Sequence, residues 1–382
     1  MKRTRMGRYV ESVVAGETVR AFVPDPLPPR EAIVFDGARQ RRLDRATQAL
    51  GQLESITQLL PEPGVFLYAY VRKEAVLSSQ IEGTQSSLSD LLLYEADALP
   101  GVPFDDVAEV SQYVAALEHG MARLEAGFPL CNRLLREMHE VLLSHGRGSS
   151  KQPGAFRRSQ NWIGGSRPGN AYFVPPPPQE VETCMGDLER FMHDESVPYP
   201  ALIKAALVHV QFETIHPFLD GNGRLGRLLV SFVLYHDGML GKPLLYLSLY
   251  LKKHRSYYYD LLNRVRDEGE WEAWIDFFLE GVEHTALDAV KRARRMRTII
   301  EEDAYRVGQA GRAAGSMLRV LHAMARHPLG SIKMLQKATG LSYPAISGAV
   351  GKLQTMGILT ETTHKERNRI FGYTRLLDVL NG

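Results

Sequence analysis

A run of twelve residues, 216 to 227, concentrates side chains that could act on a phosphorylated ligand. It reads H-P-F-L-D-G-N-G-R-L-G-R, so a titratable base and a carboxylate stand beside two arginines and a glycine-flanked turn. Histidine can accept a proton near neutral pH, and a hard carboxylate suits a magnesium ion that substrate phosphates also hold. Nucleotidyl transfer needs an aligned attacking oxygen and stabilised charge along the phosphates, which these side chains could provide.

The sequence on either side of this run predicts a helix, a tight loop and a second helix. Residues 201–215 are apolar at helical spacing, and that spacing resumes with Leu225. The start of a helix attracts anions, whereas Arg224 and Arg227 in its first turns oppose the helix dipole. An unliganded fold is therefore expected to avoid this arrangement, and a polyanion is the expected partner of the two arginines.

The pattern H-P-F-x-D-G-N-G-R-x-G-R resembles the signature of Fic-domain proteins, most of which transfer AMP from ATP to a hydroxyl of a target protein. The resemblance implies that His216 is the general base and that Asp220 binds a magnesium ion bridging the α- and β-phosphates. It also implies that Arg224 and Arg227 hold the β- and γ-phosphates. The other residues expected to bind the nucleotide here are Gly221, Asn222, Gly223, Leu225 and Gly226.

A second feature is the segment 78–83, which reads S-S-Q-I-E-G. Ser78 and Glu82 are one helical turn apart and share a face. Beside the run at 216–227, this segment resembles the [ST]-x-x-x-E-[GN] inhibitory motif of Fic proteins, with Gly83 as its last residue. The resemblance implies that Glu82 pairs with Arg227 in the γ-phosphate position, since a carboxylate and a guanidinium form well-matched hydrogen bonds. Whether Glu82 is a brake or positions a water that removes AMP stays open.

Two short strand-like runs, 161–166 and 171–174, flank a predicted hairpin turn. Fic proteins carry a β-hairpin flap here, which docks the target segment as an added strand. The residues expected to form this docking flap are Gly164, Gly165, Tyr172 and Phe173. A surface hairpin without a partner is the alternative.

Three consecutive tyrosines, 257–259, follow on a later predicted helix. Fic proteins commonly place a tyrosine here against the adenine. Spacing favours Tyr259 for this role and then Tyr258, and core packing is expected for at least one of the three.

The C-terminal residues predict three short helices, over 317–326, 332–339 and 344–356, followed by two strands around residues 364–369. This pattern resembles winged-helix domains, which many Fic proteins carry at this end. Residues 331–382 hold seven lysines and arginines against three acidic residues, a net charge of 7 − 3 = +4. Binding of DNA and a role in dimerisation or substrate docking are equally compatible with this pattern.

Together these observations predict a mainly α fold, with a helical Fic core, a small β-hairpin flap and a C-terminal winged-helix domain of the α+β type. Residues 1–35 are predicted to be a proline-rich, extended lead-in on the surface. The predicted divisions are an N-terminal helical region with the inhibitory helix, the catalytic core, a connecting helix with linker, and the winged helix-turn-helix domain, at 1–104, 105–290, 291–316 and 317–382.

Composition gives no bulk electrostatic argument for nucleic acid or membrane, because 46 basic residues face 44 acidic ones. The two cysteines, Cys131 and Cys184, have no metal-like spacing, which fits a reducing compartment. The sequence contains neither a signal-peptide pattern nor an apolar run of about 18 residues that could span a membrane. A cytoplasmic protein is therefore expected.

The sequence thus predicts a protein adenylyltransferase that uses ATP and Mg²⁺ and modifies a Ser, Thr or Tyr hydroxyl of a target protein and of itself. The alternative is a nucleotide-sensing winged-helix transcriptional regulator. Transfer of another group, such as UMP or phosphate, also stays open, as do a homodimer, the physiological target and the signal that relieves inhibition.

Overall fold

A computed structural model of the chain describes residues 6–14, 16–59, 63–96, 101–146, 148–196, 199–242, 245–363 and 368–381. Eleven helices occupy these residues up to 308, which confirms the prediction of a mainly helical fold with little sheet. They are α1 (Gly37–Leu59), α2 (Pro63–Ile81), α3 (Leu88–Glu95), α4 (Phe104–Glu125), α5 (Asn132–Leu142), α6 (Pro178–His193), α7 (Ala201–Ile215), α8 (Asn222–His236), α9 (Ser248–Lys253), α10 (Arg255–Glu268) and α11 (Trp271–Gly308).

The N-terminal residues form a β-hairpin, which corrects the predicted extended lead-in. Strands β1 (Gly7–Val14) and β2 (Glu17–Pro24) pair antiparallel, from Gly7 opposite Pro24 to Val14 opposite Glu17. The prolines that suggested an irregular segment begin only where β2 ends, so they leave its hydrogen bonds intact. β2 also bonds to the rest of the chain, since the Phe22 amide donates to the Val174 carbonyl at 2.9 Å.

The centre of the molecule is α7, which packs against α8. From Leu202 to Ile215 every residue of α7 except Lys204 is buried. A helix that is apolar all round must lie inside a protein, which explains why α7 carries so little polar surface. The loop that joins α7 to α8 is therefore anchored at both ends in the core.

Helix α2 ends two residues before a glycine. It stops at Ile81, and Gly83 follows with a φ of 101° that suits glycine. Helix α11 runs to Gly308 and so includes most of the predicted connecting helix and linker, 291–316.

The C-terminal residues form a small α+β unit. Its elements are α12 (Ala314–Arg326), β3 (Leu329–Ser331), α13 (Ile332–Thr339), α14 (Tyr343–Thr355), β4 (Thr360–Glu361), β5 (Ile370–Gly372) and α15 (Thr374–Asn381). The strands are antiparallel in the order β3-β5-β4. Most of the predicted turn between the last two strands, residues 364–367, lies outside the described residues. Lys73 of α2 donates to the Leu380 carbonyl at 2.6 Å, so the last helix contacts α2 directly.

Among the described residues, no helix is both long enough and apolar enough to cross a membrane.

Candidate active site

The loop between α7 and α8 carries the run 216–227, and the predicted helix, tight loop and helix is observed. His216 ends α7 with φ 49° and ψ 59°, in the left-handed region, and Gly221 precedes α8 with φ 76°. Asn222 closes the loop: its Oδ1 accepts from the Phe218 amide at 2.9 Å and its Nδ2 donates to the Phe218 carbonyl at 2.8 Å. Asn222 was predicted to bind the nucleotide, but its side chain is already engaged by the loop, so only its backbone can face a ligand.

His139 of α5 contacts the same loop through a hydrogen bond and a ring stack. The Gly154 amide donates to its Nδ1 at 2.9 Å, so Nε2 carries the proton and donates to the Asp220 carbonyl at 3.0 Å. Its ring stacks on Phe218 with centroids 3.7 Å apart. Burial lowers the pKa of His139 to about 4, which keeps it neutral.

Asp220 presents the carboxylate predicted to bind a metal ion. Its side chain is 36% exposed, and its Oδ1 accepts from the Gly221 amide at 2.6 Å and lies 3.3 Å from Nη2 of Arg224. The described residues contain no group of three or more metal-binding side chains. A single half-exposed carboxylate fits Mg²⁺, which protein sites often hold through one carboxylate plus substrate phosphates.

The two arginines of α8 have carboxylate partners: the pairing of Arg227 with Glu82 was expected, whereas that of Arg224 with Glu109 was not. Nη1 of Arg224 lies 2.7 Å from Oε1 of Glu109 on α4, and both side chains are 2% exposed. Nη2 of Arg227 donates to Oε1 of Glu82 at 2.8 Å. These acids come from α4 and α2, more than a hundred residues away in sequence, so local patterns could not place Glu109.

Arg227 and the segment 78–83 form the contact expected from the inhibitory motif. Besides its bond to Glu82, Arg227 donates through Nε to the Ser78 hydroxyl at 2.8 Å and through Nη2 to the Ser78 carbonyl at 3.0 Å. Burial disfavours both charges. Even so, their mutual attraction holds the pKa of Glu82 below its usual value and that of Arg227 above its own. Both groups are therefore ionised at neutral pH.

The Glu82 carboxylate lies at the start of α8, where a side chain at residue 223 would otherwise be. A Cβ built on Gly223 would lie 2.3 Å from Oε1 of Glu82 and 3.0 Å from Nη1 of Arg227. Glycine at this position therefore makes room for an anion beside the helix N-terminus, where backbone amides and the helix dipole favour negative charge.

The next two positions of α8 serve packing. Leu225 is fully buried, and a Cβ on Gly226 would lie 2.5 Å from Oε1 of Glu213. The Leu225 side chain therefore faces the core, and a contact of the backbone of residues 225 and 226 with the nucleotide stays a prediction. Gly226 instead lets α7 approach α8 closely at Glu213, a buried carboxyl whose pKa burial raises to about 7.

His216 is neutral at physiological pH. Burial is the main cause that lowers its pKa to about 4, and the nearby Arg157 guanidinium lowers it further. Its Nδ1 is buried and makes no well-formed hydrogen bond to any described residue, although the Glu213 backbone favours the protonated form slightly. A neutral imidazole can accept a proton, as a general base must.

The tyrosines separate clearly. Tyr258 is 1% exposed and its hydroxyl lies 2.9 Å from Nε2 of the buried His209, so it is a core residue and cannot stack on an adenine. Tyr259 is partly buried. Burial raises the pKa of its hydroxyl, Glu82 raises this pKa further, and Arg227 lowers it. Of the two predicted tyrosines, Tyr259 is the one that is not fully buried, and its contact with the adenine stays a prediction.

The predicted flap has one antiparallel bridge, between Ile163 and Phe173, in place of the two strands predicted over 161–166 and 171–174, and a 3₁₀ turn at Pro168–Asn170 lies between its arms. Gly164 and Gly165 have φ values of 68° and 71° at its bend. Tyr172 is 85% exposed, whereas Phe173 is 9% exposed, with the Arg266 guanidinium 3.7 Å from its ring centre. Phe173 therefore anchors the flap, and its side chain is not available for docking.

The N-terminal hairpin braces the turn of this flap. Glu17 accepts from the Gly169 amide at 2.9 Å and from Arg167 at 2.5 Å. Because Glu17 lies at the start of β2, sequence reasoning that treated residues 1–35 as irregular could not find this contact.

The same fold occurs in solved Fic proteins. A Fic family protein from Desulfovibrio desulfuricans superposes with a TM-score of 0.57 at 18% identity, covering 89% of this chain and 97% of that one. A Fic domain containing signaling protein from Bacteroides thetaiotaomicron gives a TM-score of 0.52 at 20% identity, covering 66% and 97%. At these identities the likeness defines the fold, a Fic fold.

The sequence defines the family. Residues 40–122 match the family model described as Fic/DOC family N-terminal, and residues 129–234 match that of the Fic/DOC family. The chain belongs to the Fic/DOC family.

Curated relatives carry the name protein adenylyltransferase Fic. Those of Aedes aegypti and Culex quinquefasciatus are each 30% identical over 261 residues, 66% of this chain and 47% of theirs. That of Drosophila melanogaster is 30% identical over 265 residues, 67% and 49%. The chain thus spans about half the length of the curated relatives it matches.

Proposed function

We propose that the chain is a protein adenylyltransferase, which transfers AMP from ATP to a hydroxyl of a target protein and of itself. The observation that carries this proposal is the buried guanidinium of Arg227, which holds the Glu82 carboxylate at the N-terminus of α8. A terminal phosphate has the charge and the acceptor oxygens to take the place of that carboxylate. The names of the curated relatives support the same reaction.

In this proposal His216 takes the proton of the incoming hydroxyl. The oxygen attacks the α-phosphorus of ATP, the bond from that phosphorus to the bridging oxygen breaks, and pyrophosphate leaves. Arg224 and Arg227 bind the β- and γ-phosphates and stabilise the charge that the leaving group gains. Asp220 would hold Mg²⁺, which neutralises phosphate charge when bound.

Glu82 restrains this reaction. While it occupies Arg227, the γ-phosphate cannot reach the guanidinium, so ATP binds weakly or in a pose unsuited to in-line attack. The exposed Tyr172 and the backbone of the flap would receive the target segment as an added strand. Since a strand is bound through its backbone, this docking would select little by sequence.

For the C-terminal unit we propose a winged-helix fold. The order helix, strand, two helices and two further antiparallel strands supports it, because α13 and α14 are joined by a short turn at Gly340. The predicted domain divisions, a homodimer, DNA binding and a cytoplasmic location stay predictions.

The test is AMP transfer in the Glu82→Gly background with ATP labelled at the α-phosphate. His216→Ala should abolish labelling of protein while ATP binding by calorimetry persists, because the histidine acts on the hydroxyl and the arginines hold the phosphates. His145→Ala, at an exposed histidine, is the matched control and should label normally. Undiminished labelling by His216→Ala would refute the base, and labelling only from γ-labelled ATP would show phosphate transfer instead.

A further inference from the structure

The backbone of His216 needs external support. Its φ of 49° and ψ of 59° lie in the left-handed region, where non-glycine residues are uncommon, although histidine is one of the types enriched there. A residue with a side chain keeps such a backbone conformation only where the surrounding structure holds it. The direction of the imidazole therefore depends on the contacts that fix this turn.

Arg157 makes those contacts. Its Nε donates to the His216 carbonyl at 2.9 Å, its Nη2 donates to the Ile215 carbonyl at 3.3 Å, and its own amide donates to the Pro217 carbonyl at 2.9 Å. One residue thus binds three consecutive carbonyls at the end of α7. The last carbonyls of a helix lack partners within the helix, and a cation is favourable beside them.

The guanidinium of Arg157 is a buried charge whose partners are backbone carbonyls. Arg157 is 2% exposed, and no carboxylate of the described residues lies within ion-pair distance of it. Burial lowers its pKa to about 10, so the guanidinium stays charged at neutral pH without an ionic partner. Backbone carbonyls take the place of an ionic partner, since Nη2 also donates to the Pro176 carbonyl at 2.5 Å, and an apolar side chain would leave these buried carbonyls without a donor.

The charge of Arg157 also acts on the imidazole. After burial, it is the largest influence that lowers the pKa of His216, and Arg266 lowers it further. Glu82 and the backbone of Glu213 act in the opposite direction. These are the groups that face His216 from the surrounding elements, and their balance leaves the imidazole unprotonated.

We propose that Arg157 is a positioning residue that fixes the turn bearing His216 and so the direction of its imidazole. The role rests on the proposed adenylyl transfer, because Arg157 acts through the base of that reaction. Lysine should replace it poorly, since one ammonium group lacks the planar fork that reaches two carbonyls at once.

Kinetics in the Glu82→Gly background test the positioning. Arg157→Lys and Arg157→Gln should each lower kcat by about tenfold or more, because small displacements of a reacting group are costly. KM for ATP should stay within about twofold, since the phosphate contacts are unchanged. The matched control is Arg158→Gln, at the exposed neighbour, which should leave both constants unchanged. A kcat for Arg157→Gln within about twofold of the parent would overturn the proposal.

Titration of His216 by NMR of ring-labelled histidine needs no activity, and His216→Ala assigns its signal. Arg157→Gln should raise the pKa of His216 by about one unit, whereas Arg157→Lys should leave it low despite its reduced kcat. An unmoved pKa in Arg157→Gln would overturn the electrostatic influence of Arg157 on the imidazole. If Arg157→Gln does not fold, the kcat of Arg157→Lys decides. If the parent transfers no AMP, the proposed function fails, and the titration by itself supports or overturns the role of Arg157.

Discussion

Replacing Glu82 with glycine should raise AMP transfer by roughly ten- to thirtyfold. One charge-assisted hydrogen bond of 2.8 Å joins Glu82 to Arg227, and such a bond contributes about 1.5–3 kcal/mol. The Glu82 side chain is 33% exposed, so solvent screening places the value near the lower end, at about 1.5–2 kcal/mol. About 1.4 kcal/mol corresponds to tenfold in an equilibrium constant. Removal of the carboxylate should therefore strengthen the binding of ATP at Arg227 by roughly ten- to thirtyfold.

The binding site itself should survive this change. Ser78 still offers Arg227 its hydroxyl and its carbonyl, at 2.8 and 3.0 Å, so the guanidinium keeps its direction. Glu82→Gln should give an intermediate rate, because an amide can accept the same hydrogen bond without the charge. Glu118→Gln, at an exposed glutamate of α4, is the matched control and should leave the rate unchanged.

The assay measures incorporation of α-labelled AMP into the protein itself, together with the affinity for ATP by calorimetry. Transfer and affinity should rise together in the order wild type, Glu82→Gln, Glu82→Gly. Equal affinities in all three proteins would refute the reasoning that Glu82 competes with ATP for Arg227. Tighter ATP binding without faster transfer would refute the assignment of Glu82 as a brake.

Two further predictions concern the same helix start. In the Glu82→Gly background, Gly223→Ala should weaken ATP binding at least about tenfold in calorimetry, because its Cβ would enter the space of the bound anion; unchanged affinity would place the phosphates elsewhere. Glu109→Gln should lower the free energy of unfolding by about 3 kcal/mol in urea titrations, because Arg224 loses a buried ionic partner, whereas Glu118→Gln should cost less than about 0.5 kcal/mol. Equal unfolding midpoints would show that the Arg224 pair adds nothing to stability.

Much of the site was predictable because its chemistry is local in sequence. The run 216–227 spells out a helix, a loop and a second helix, and helical spacing predicted α7 and α8 around it. The Glu82–Arg227 contact was predictable only through the resemblance, since nothing local links residues so far apart.

The remaining features depend on tertiary packing. Glu109 lies in an amphipathic helix like any other acid, and only the fold brings it to Arg224. Arg157 has an exposed arginine beside it, so the sequence gives no reason to prefer one of the two. Tyr258 and Tyr259 are neighbours on α10, so their side chains point in different directions. Which of them is buried in the core depends on how α10 packs, and the sequence alone does not show that.

The hydrogen bond between Lys73 and the Leu380 carbonyl has a consequence for regulation. Lys73 lies on α2, the helix whose end presents Glu82, and Leu380 belongs to the last turn of α15. A molecule that binds more tightly when α15 has left α2 would remove one contact of the helix that precedes Glu82. If that loss also weakens the contact between Glu82 and Arg227, thermodynamic reciprocity requires that nucleotide which displaces Glu82 strengthens the attachment of that molecule by the same factor.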